Sequence, residues 1–321
     1  MFTRFDAAAR LAMVAALVVF LAMLWLFQGL GEGNWRFVLA LRATKLASLA
    51  LVAASVGVAT VLFQTVAQNR ILTPAIMGFD ALYLLIQSLA VTGLGTIGFA
   101  SLPTGAKFLL EAMLLTGVSV ALFGALLGRA SAETIGRTIL TGMILGVMFR
   151  SGAVLLGRLL DPNEYAIVQQ ASFANFSRPA GGTLGWAALL ALPALAVSHW
   201  LGPQLDVLGL GRDRAISLGS AHRRMVIGVL ALVAVLTAVS TALVGPVAFF
   251  GLIVAGLAHA LLPGARHRAL LAGAALLAMA LLISGQWAFE RVLGLRATLS
   301  VVIEFAGGLF FLVLLLRGRV R

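Results

Sequence analysis

Four ionisable residues interrupt the apolar stretches of this chain: Asp80, Glu111, Arg150 and Glu304. A charge near the centre of a bilayer costs at least about 2.5 kcal/mol, so each marks an ion or proton path, or an internal pair, unless something local neutralises it. Asp80 follows Gly78 by two residues, at what reads as a helix start, where free backbone amides would meet its carboxylate. Glu111 follows Lys107 by four residues, which places both on one helix face as a pair. Local neutralisation is the first reading for these two. Glu304 and Arg150 lie deeper in their stretches and need an interior partner, and pairing with each other is one arrangement.

The stretch Val244-Gly-Pro-Val-Ala-Phe-Phe-Gly251 is of another kind. Proline removes an amide donor and glycine relaxes the backbone, so a helix breaks here, and a bilayer tolerates a break only where protein or a water-filled cavity receives the freed groups. Gly245, Pro246, Phe249 and Gly251 are therefore candidates for the wall of a translocation pathway, the alternative being a kink in a structural helix.

Other chemistries are excluded by residue type. There is no cysteine, hence no disulfide, no thiolate and no Cys-ligated metal. The histidines His199, His222, His259 and His267 have no close i, i+4 pairing, and no metal site is expected. A phosphate-binding loop requires Gly-Lys followed by Ser or Thr, yet Lys45 follows Thr44 and Lys107 follows Ala106, so the chain cannot hold ATP in that manner. Neither HExxH nor GxSxG occurs, and no second aspartate is placed to form a dyad with Asp80. No catalytic residue and no cofactor of its own is expected.

The elements that must position these residues follow from composition. Of 321 residues, 61% are apolar and 11% charged, with a mean hydropathy of +1.07. A soluble domain carries about 25% charged residues, so this is a membrane protein. With about 20 apolar residues per crossing, the runs at 11–27, 46–66, 75–95, 106–127, 138–157, 184–201, 224–244, 247–262, 269–286 and 298–316 predict about ten spans. They lack the alternation of barrel strands, so the spans are helices and the fold is all-α and polytopic, one transmembrane domain over 1–321. The first run could be a signal peptide, but Trp25, Leu26, Phe27 and Gln28 stand where a cleavage site needs small residues, which favours a retained helix.

The balance of 23 basic and 11 acidic residues gives a net charge of +12. The arginines lie between apolar runs, as span ends facing anionic headgroups require, so nucleic acid is not the expected partner. Placing both termini in the cytoplasm puts most of them inside, among them Arg129, Arg137, Arg317, Arg319 and Arg321. Glycines at four-residue spacing, Gly124 with Gly128, Gly142 with Gly146 and Gly181 with Gly185, predict close helix packing. Two loops are too long and polar for simple turns. Leu159 to Thr183, which includes Arg178, falls outside, and Gly202 to Arg224 falls inside. Within the inner loop, Asp213 to Leu218 reads as a short amphipathic helix with Ala215 and Leu218 on one face. It is either a grip for a soluble partner or an ordinary solvated connection.

Several ordered segments together resemble a known family. They are NRILTPAIMG with Asn69, Pro74 and Gly78, then RDRAISLG from Arg212 to Gly219, GPVAFFGLIV from Gly245 to Val254, and the closing helix Val301 to Arg317. Over nearly its whole length the chain resembles the FecCD-type permease subunits of iron-siderophore and vitamin B12 ABC importers. It departs from their pattern at Arg70, where a proline is usual, and at Ala255 and Gly256, where Pro-His often stands. NRILTP, GFD and GQWAFERV look like the subgroup serving catecholate or related siderophores, often encoded as two different permeases.

The resemblance implies a type II ABC importer permease fold in a bacterial inner membrane. A second permease, identical or homologous, would complete the central path, an ABC ATPase dimer carrying ATP and Mg would dock inside, and a periplasmic substrate-binding protein would dock outside. It implies that Arg212, Asp213, Ala215, Leu218 and Gly219 transmit the ATPase movement, and that Arg42, Lys45 and Arg291 meet acidic residues of the binding protein. The expected cargo is a ferric siderophore. Cobalamin or haem is the alternative within the family, and a proton-coupled secondary transporter using Asp80, Glu111 and Glu304 is the alternative outside it.

Overall fold

The computed structural model describes residues 4–29, 34–128, 135–177, 182–292 and 299–316, and their regular structure is helical throughout. The helices are α1 (Arg4–Phe27), α2 (Trp35–Ala67), α3 (Phe79–Ser101), α4 (Thr104–Gly128), α5 (Ile135–Gly157), α6 (Pro162–Ala171), α7 (Leu184–Trp200), α8 (Gly202–Leu208), α9 (Arg212–Ser217), α10 (His222–Val244), α11 (Phe250–Leu261), α12 (His267–Arg291) and α13 (Leu299–Leu316). A 3-10 turn, Pro74–Met77, joins α2 to α3. Arg129, Arg178, Gly181, Arg317, Arg319 and Arg321 lie outside the described residues.

Each expected apolar run is helical, but the spans are unequal. Seven helices are long and apolar enough to cross a bilayer singly, and α7 joins them only together with α8, to which it is bent by 61°. Helix α11 has 12 residues, about 18 Å at 1.5 Å per residue, well short of the roughly 30 Å of a hydrocarbon core. The residues that would extend it toward α10 are those of the Gly-Pro break. Among the described residues there are thus seven full spans, one bent pair and two further apolar helices, α11 and α13, so the expected ten is not matched one for one.

Helix α2 is the centre of the packing, 78% buried over its span against 11% for α1 and 17% for α5. Its run Ala53, Ala54, Ser55, Gly57, Ala59, Thr60 carries few large side chains, so neighbouring backbones approach. A Cβ on Gly57 would lie 2.9 Å from the Ala274 carbonyl oxygen of α12. The same logic operates at Gly142 and Gly146 on α5, which lie against Met77 and Gly78 of the 3-10 turn. That is the packing role expected of the pair. Gly185 has open space where a side chain would be, and at Gly124 and Gly128 only the helical backbone is described.

Two elements escaped the apolar-run criterion. Helix α3 contains a break at Gly95 (φ 65, ψ 175), inside a stretch that reads as one uninterrupted span. The 159–183 loop contains α6, too polar to register as a span. Its start is nonetheless written in the sequence Asp161-Pro-Asn-Glu164, where proline occupies the first turn and Glu164 Oε2 accepts from the Asp161 amide at 3.3 Å.

Candidate functional site

The Gly-Pro break is real and is sealed by protein. Helix α10 stops at Val244, Gly245 adopts φ 100, and Phe249 takes a left-handed conformation at φ 56 immediately before α11. The carbonyl of Val244, which an unbroken helix would satisfy, accepts instead from the amide of Asn175 at 2.6 Å. The segment carrying Asn175 passes so close that a Cβ on Gly245 would stand 3.2 Å from the Ala174 Cα and the Phe173 oxygen. On the other side of the break, Gly251 packs on the Thr60 side chain of α2. The Phe249 ring covers Gly307 of α13 and lies 6.4 Å from the Phe311 ring.

Asp80 belongs to this site, a link that spacing along the chain does not reveal. It lies in the first turn of α3 and, with Val247, Phe249 and Gly251, lines a small cavity of about 30 Å³. Thr60, Thr73, Thr237, Ser240 and Thr241 line it too, together with Val56, Ala59, Pro74 and Ala75. The Thr60 hydroxyl donates to Val56 O at 2.8 Å and that of Ser240 to Thr237 O at 2.9 Å, so these two offer mainly acceptor lone pairs to the cavity. Thr237, Ser240 and Thr241 recur at helical spacing just before the break, a signal available in the sequence but not used there.

Arg150 and Glu304 form no ion pair with one another among the described residues, so that arrangement is unmade. Glu111 is neutralised as its spacing predicts. It is buried, lies 3.9 Å from Lys107, and accepts from Gln87 Nε2 at 2.7 Å. The Lys107 ammonium also sits 3.5 Å from the centroid of the Phe99 ring.

The three basic residues Arg42, Lys45 and Arg291 gather on one rim, where α1 ends, α2 begins and α12 ends. Arg42 Nη1 donates to Leu26 O at 2.9 Å and Gln28 O at 2.8 Å, capping the C-terminal carbonyls of α1. Arg291 Nη2 reaches the same Gln28 carbonyl at 3.4 Å. Lys45 is ion-paired with Glu290, whose carboxylate also accepts from Gln286 at 2.7 Å. That partner went unforeseen, and it leaves Arg42 and Arg291 as the less committed charges.

The 202–224 loop forms two short helices, α8 and α9. Ala215 is fully buried, but Leu218 is 64% exposed and lies at the C-cap of α9, beyond the helix. Ala215 and Leu218 therefore do not share a buried face, although the Leu218 amide still makes a helical bond to Arg214 O at 3.0 Å. Gly219, at φ 80, ends the element. Arg212, Asp213, Ile216 and Leu218 are exposed together, a mixed charged and apolar surface around a buried Ala215 anchor.

Known proteins are similar to this chain over most of its length. The profile of the FecCD transport family matches residues 7–317. The petrobactin import system permease protein YclO of Bacillus subtilis strain 168 is 35% identical over 309 residues, covering 96% of this chain and 97% of that protein. The ferric enterobactin transport system permease protein FepD of Escherichia coli K12 is 30% identical, over 82% of this chain and 77% of that one. The vitamin B12 import system permease protein BtuC of Vibrio cholerae is 29% identical over 95% and 91%. Among solved structures, an inward-facing conformation of a metal-chelate type ABC transporter superposes with a TM-score of 0.82 at 21% identity, covering 96% of this chain and 99% of that one, which shows a common fold. The family profile and the near full-length identity to a permease place this chain in the FecCD transport family.

Proposed function

We propose that this protein is the membrane permease of an ABC importer that carries a ferric siderophore inward on ATP hydrolysed by a separate ATPase pair. The observation that supports this most is the 35% identity to a petrobactin import permease along essentially the full length of both chains. The local geometry fits the reading. A small exposed helix, α9, offers a docking surface on one side, and a broken helix beside a cavity lined in part by Thr and Ser residues offers a hydrated stretch of pathway. No residue needs to change bonding for such a role; the chain guides and moves while ATP and Mg act on the partner.

In the assembled importer, Arg212, Asp213, Ala215, Leu218 and Gly219 receive the ATPase, and its closure tilts the helices as rigid bodies. Arg42 and Arg291, with Lys45 beside them, receive acidic residues of a periplasmic substrate-binding protein. Exposed pairs of this kind contribute about 0–1 kcal/mol each, so they set orientation and encounter rate more than affinity. A second permease, identical or homologous, closes the pathway, and ten crossings counting the bent and short helices leave both termini cytoplasmic. Residues 1–321 act as a single transmembrane domain.

A second cargo class is supported by the relatives named for vitamin B12 and hemin transport, at 29% and 25% identity. The siderophore reading is preferred because the petrobactin relatives, at 35% and 31%, are more similar. The test is uptake of radiolabelled iron chelate into proteoliposomes. ATP-dependent accumulation is expected with permease, ATPase and binding protein present, and none with this chain alone. Accumulation by the chain alone under a proton gradient would overturn the proposal in favour of a secondary transporter.

A further inference from the structure

Helix α8 does not simply lead into α9; it is bolted to the C-terminal end of α2 through one imidazole. Asp206 of α8 accepts at the same oxygen, Oδ1, from the His267 backbone amide and pairs with His267 Nδ1, both at 2.8 Å. The opposite ring nitrogen, Nε2, lies 3.0 Å from the hydroxyl of Thr65 on α2. Because a carboxylate can only accept, Nδ1 carries a proton, and the ring is oriented so that Nε2 faces the Thr65 hydroxyl; that hydroxyl also lies 2.8 Å from Val61 O, so its one proton is shared between Val61 O and Nε2. A second tie runs parallel. Gln68 Nε2 donates to Thr65 O at 2.7 Å and to Leu208 O at 3.2 Å, joining the end of α2 to the end of α8.

These bonds cross open space on one side. Thr65, Gln68, Gly209 and His267 line a cavity of about 400 Å³ that also reaches Arg70 and His259. On that side polar contacts join α8 to α2, while Leu205 and Leu208 of α8 are buried in the same apolar core as Val66 of α2. The close fit lies at the ring itself, since a Cβ on Gly209 would come within 3.1 Å of His267 Cε1. Beyond Thr65 the path continues. Gln64 Nε2 donates to Arg70 O at 2.6 Å, and the chain then runs into the Pro74–Met77 turn and Gly78, which lie on Gly142 and Gly146 of α5.

Taking α9 as the ATPase-docking helix, which rests on the function proposed above, we propose that His267 is a positioning residue for energy coupling. It clamps Asp206 to Thr65, so that a push on α9 moves the end of α2 and the 68–78 segment instead of being absorbed in the α8–α9 connection. Proximity alone does not establish such a path; a measured coupling between its ends does.

The experiment uses the complete importer in proteoliposomes and reads chelate transported per ATP hydrolysed. Thr65→Val removes the hydroxyl but keeps the shape, while Thr65→Ser keeps the hydroxyl. His267→Asn keeps a donor toward Asp206 and loses Nε2. Thr65→Val and His267→Asn are each expected to lower the transported-per-ATP ratio about fivefold while ATP hydrolysis continues. The double variant should be no worse than either single one, because both remove the same contact. Thr65→Ser should behave as wild type. Equal loss in Thr65→Ser and Thr65→Val, an unchanged ratio in Thr65→Val, or additive losses in the double variant would each overturn the clamp. The Thr65 pair decides even where His267→Asn fails to fold. Failure of the wild-type complex to show ATP-driven uptake would instead overturn the importer reading on which the clamp depends.

Discussion

Gly78 and Gly146 touch backbone to backbone: a Cβ on Gly146 would stand 2.9 Å from the Cα of Gly78. Gly78 also adopts φ +87, a conformation that costs an L side chain about 1–2 kcal/mol before any clash. Gly78→Ala is therefore expected to lower the apparent unfolding temperature in detergent markedly, followed by circular dichroism. Gly142→Ala should cost less, because its new methyl would meet the flexible end of Met77, not backbone.

Ala215 and Leu218 separate two roles that amphipathic patterning assigns to one face. Ala215→Leu forces extra volume into a filled site and should destabilise by about 1–3 kcal/mol. Leu218→Asp, at an exposed position, should leave stability within about 0.5 kcal/mol, while weakening association with the ATPase in pull-down and lowering uptake. A wild-type level of association in Leu218→Asp would remove Leu218 from the docking surface.

Glu111→Ala strands the Gln87 amide and weakens the hold on Lys107 in a buried setting, with an expected loss of about 1–3 kcal/mol in stability. Glu111→Gln keeps an acceptor and should retain ATP-driven uptake close to wild type. Abolished uptake in a stably folded Glu111→Gln protein would point to proton coupling.

The Lys45–Glu290 pair joins α2 to α12 and is only partly exposed. Lys45→Ala removes the ion pair and leaves Glu290 its Gln286 hydrogen bond, and should reduce stability by about 1 kcal/mol or more. The charge swap Lys45→Glu with Glu290→Lys should recover part of that loss, measured as a double-mutant cycle. Arg42→Ala and Arg291→Ala are expected to affect binding-protein docking, read by the salt dependence of association.

Much of this molecule follows from apolar runs read one at a time, because each span is a local solution to burying backbone in lipid. The Gly245–Gly251 break, the Glu111–Lys107 pair and the α5 glycine strip were visible for that reason: each depends on neighbours within a few residues. What escaped depends on distance along the chain. Glu290 answers Lys45 across more than two hundred positions, and Asp80 meets Phe249 only after α3 and α10 have packed. Helix α6 escaped for a different cause, being capped and polar where only hydrophobic length was counted. Ala215 is buried and Leu218 exposed because what packs on α9 is set by elements distant in sequence, which spacing within the loop does not reveal.

The amide of Asn175 and the carbonyl of Val244 tie the 159–183 loop to the interrupted helix, and this sets a rule for chimeras. Grafting only the 159–183 loop from a relative with different cargo would unseal that carbonyl wherever the graft shifts the amide at position 175. Residues 173–175 and 244–249 would have to be transplanted as one cassette, and recombination that separates them should yield proteins that fail before they reach the membrane assay.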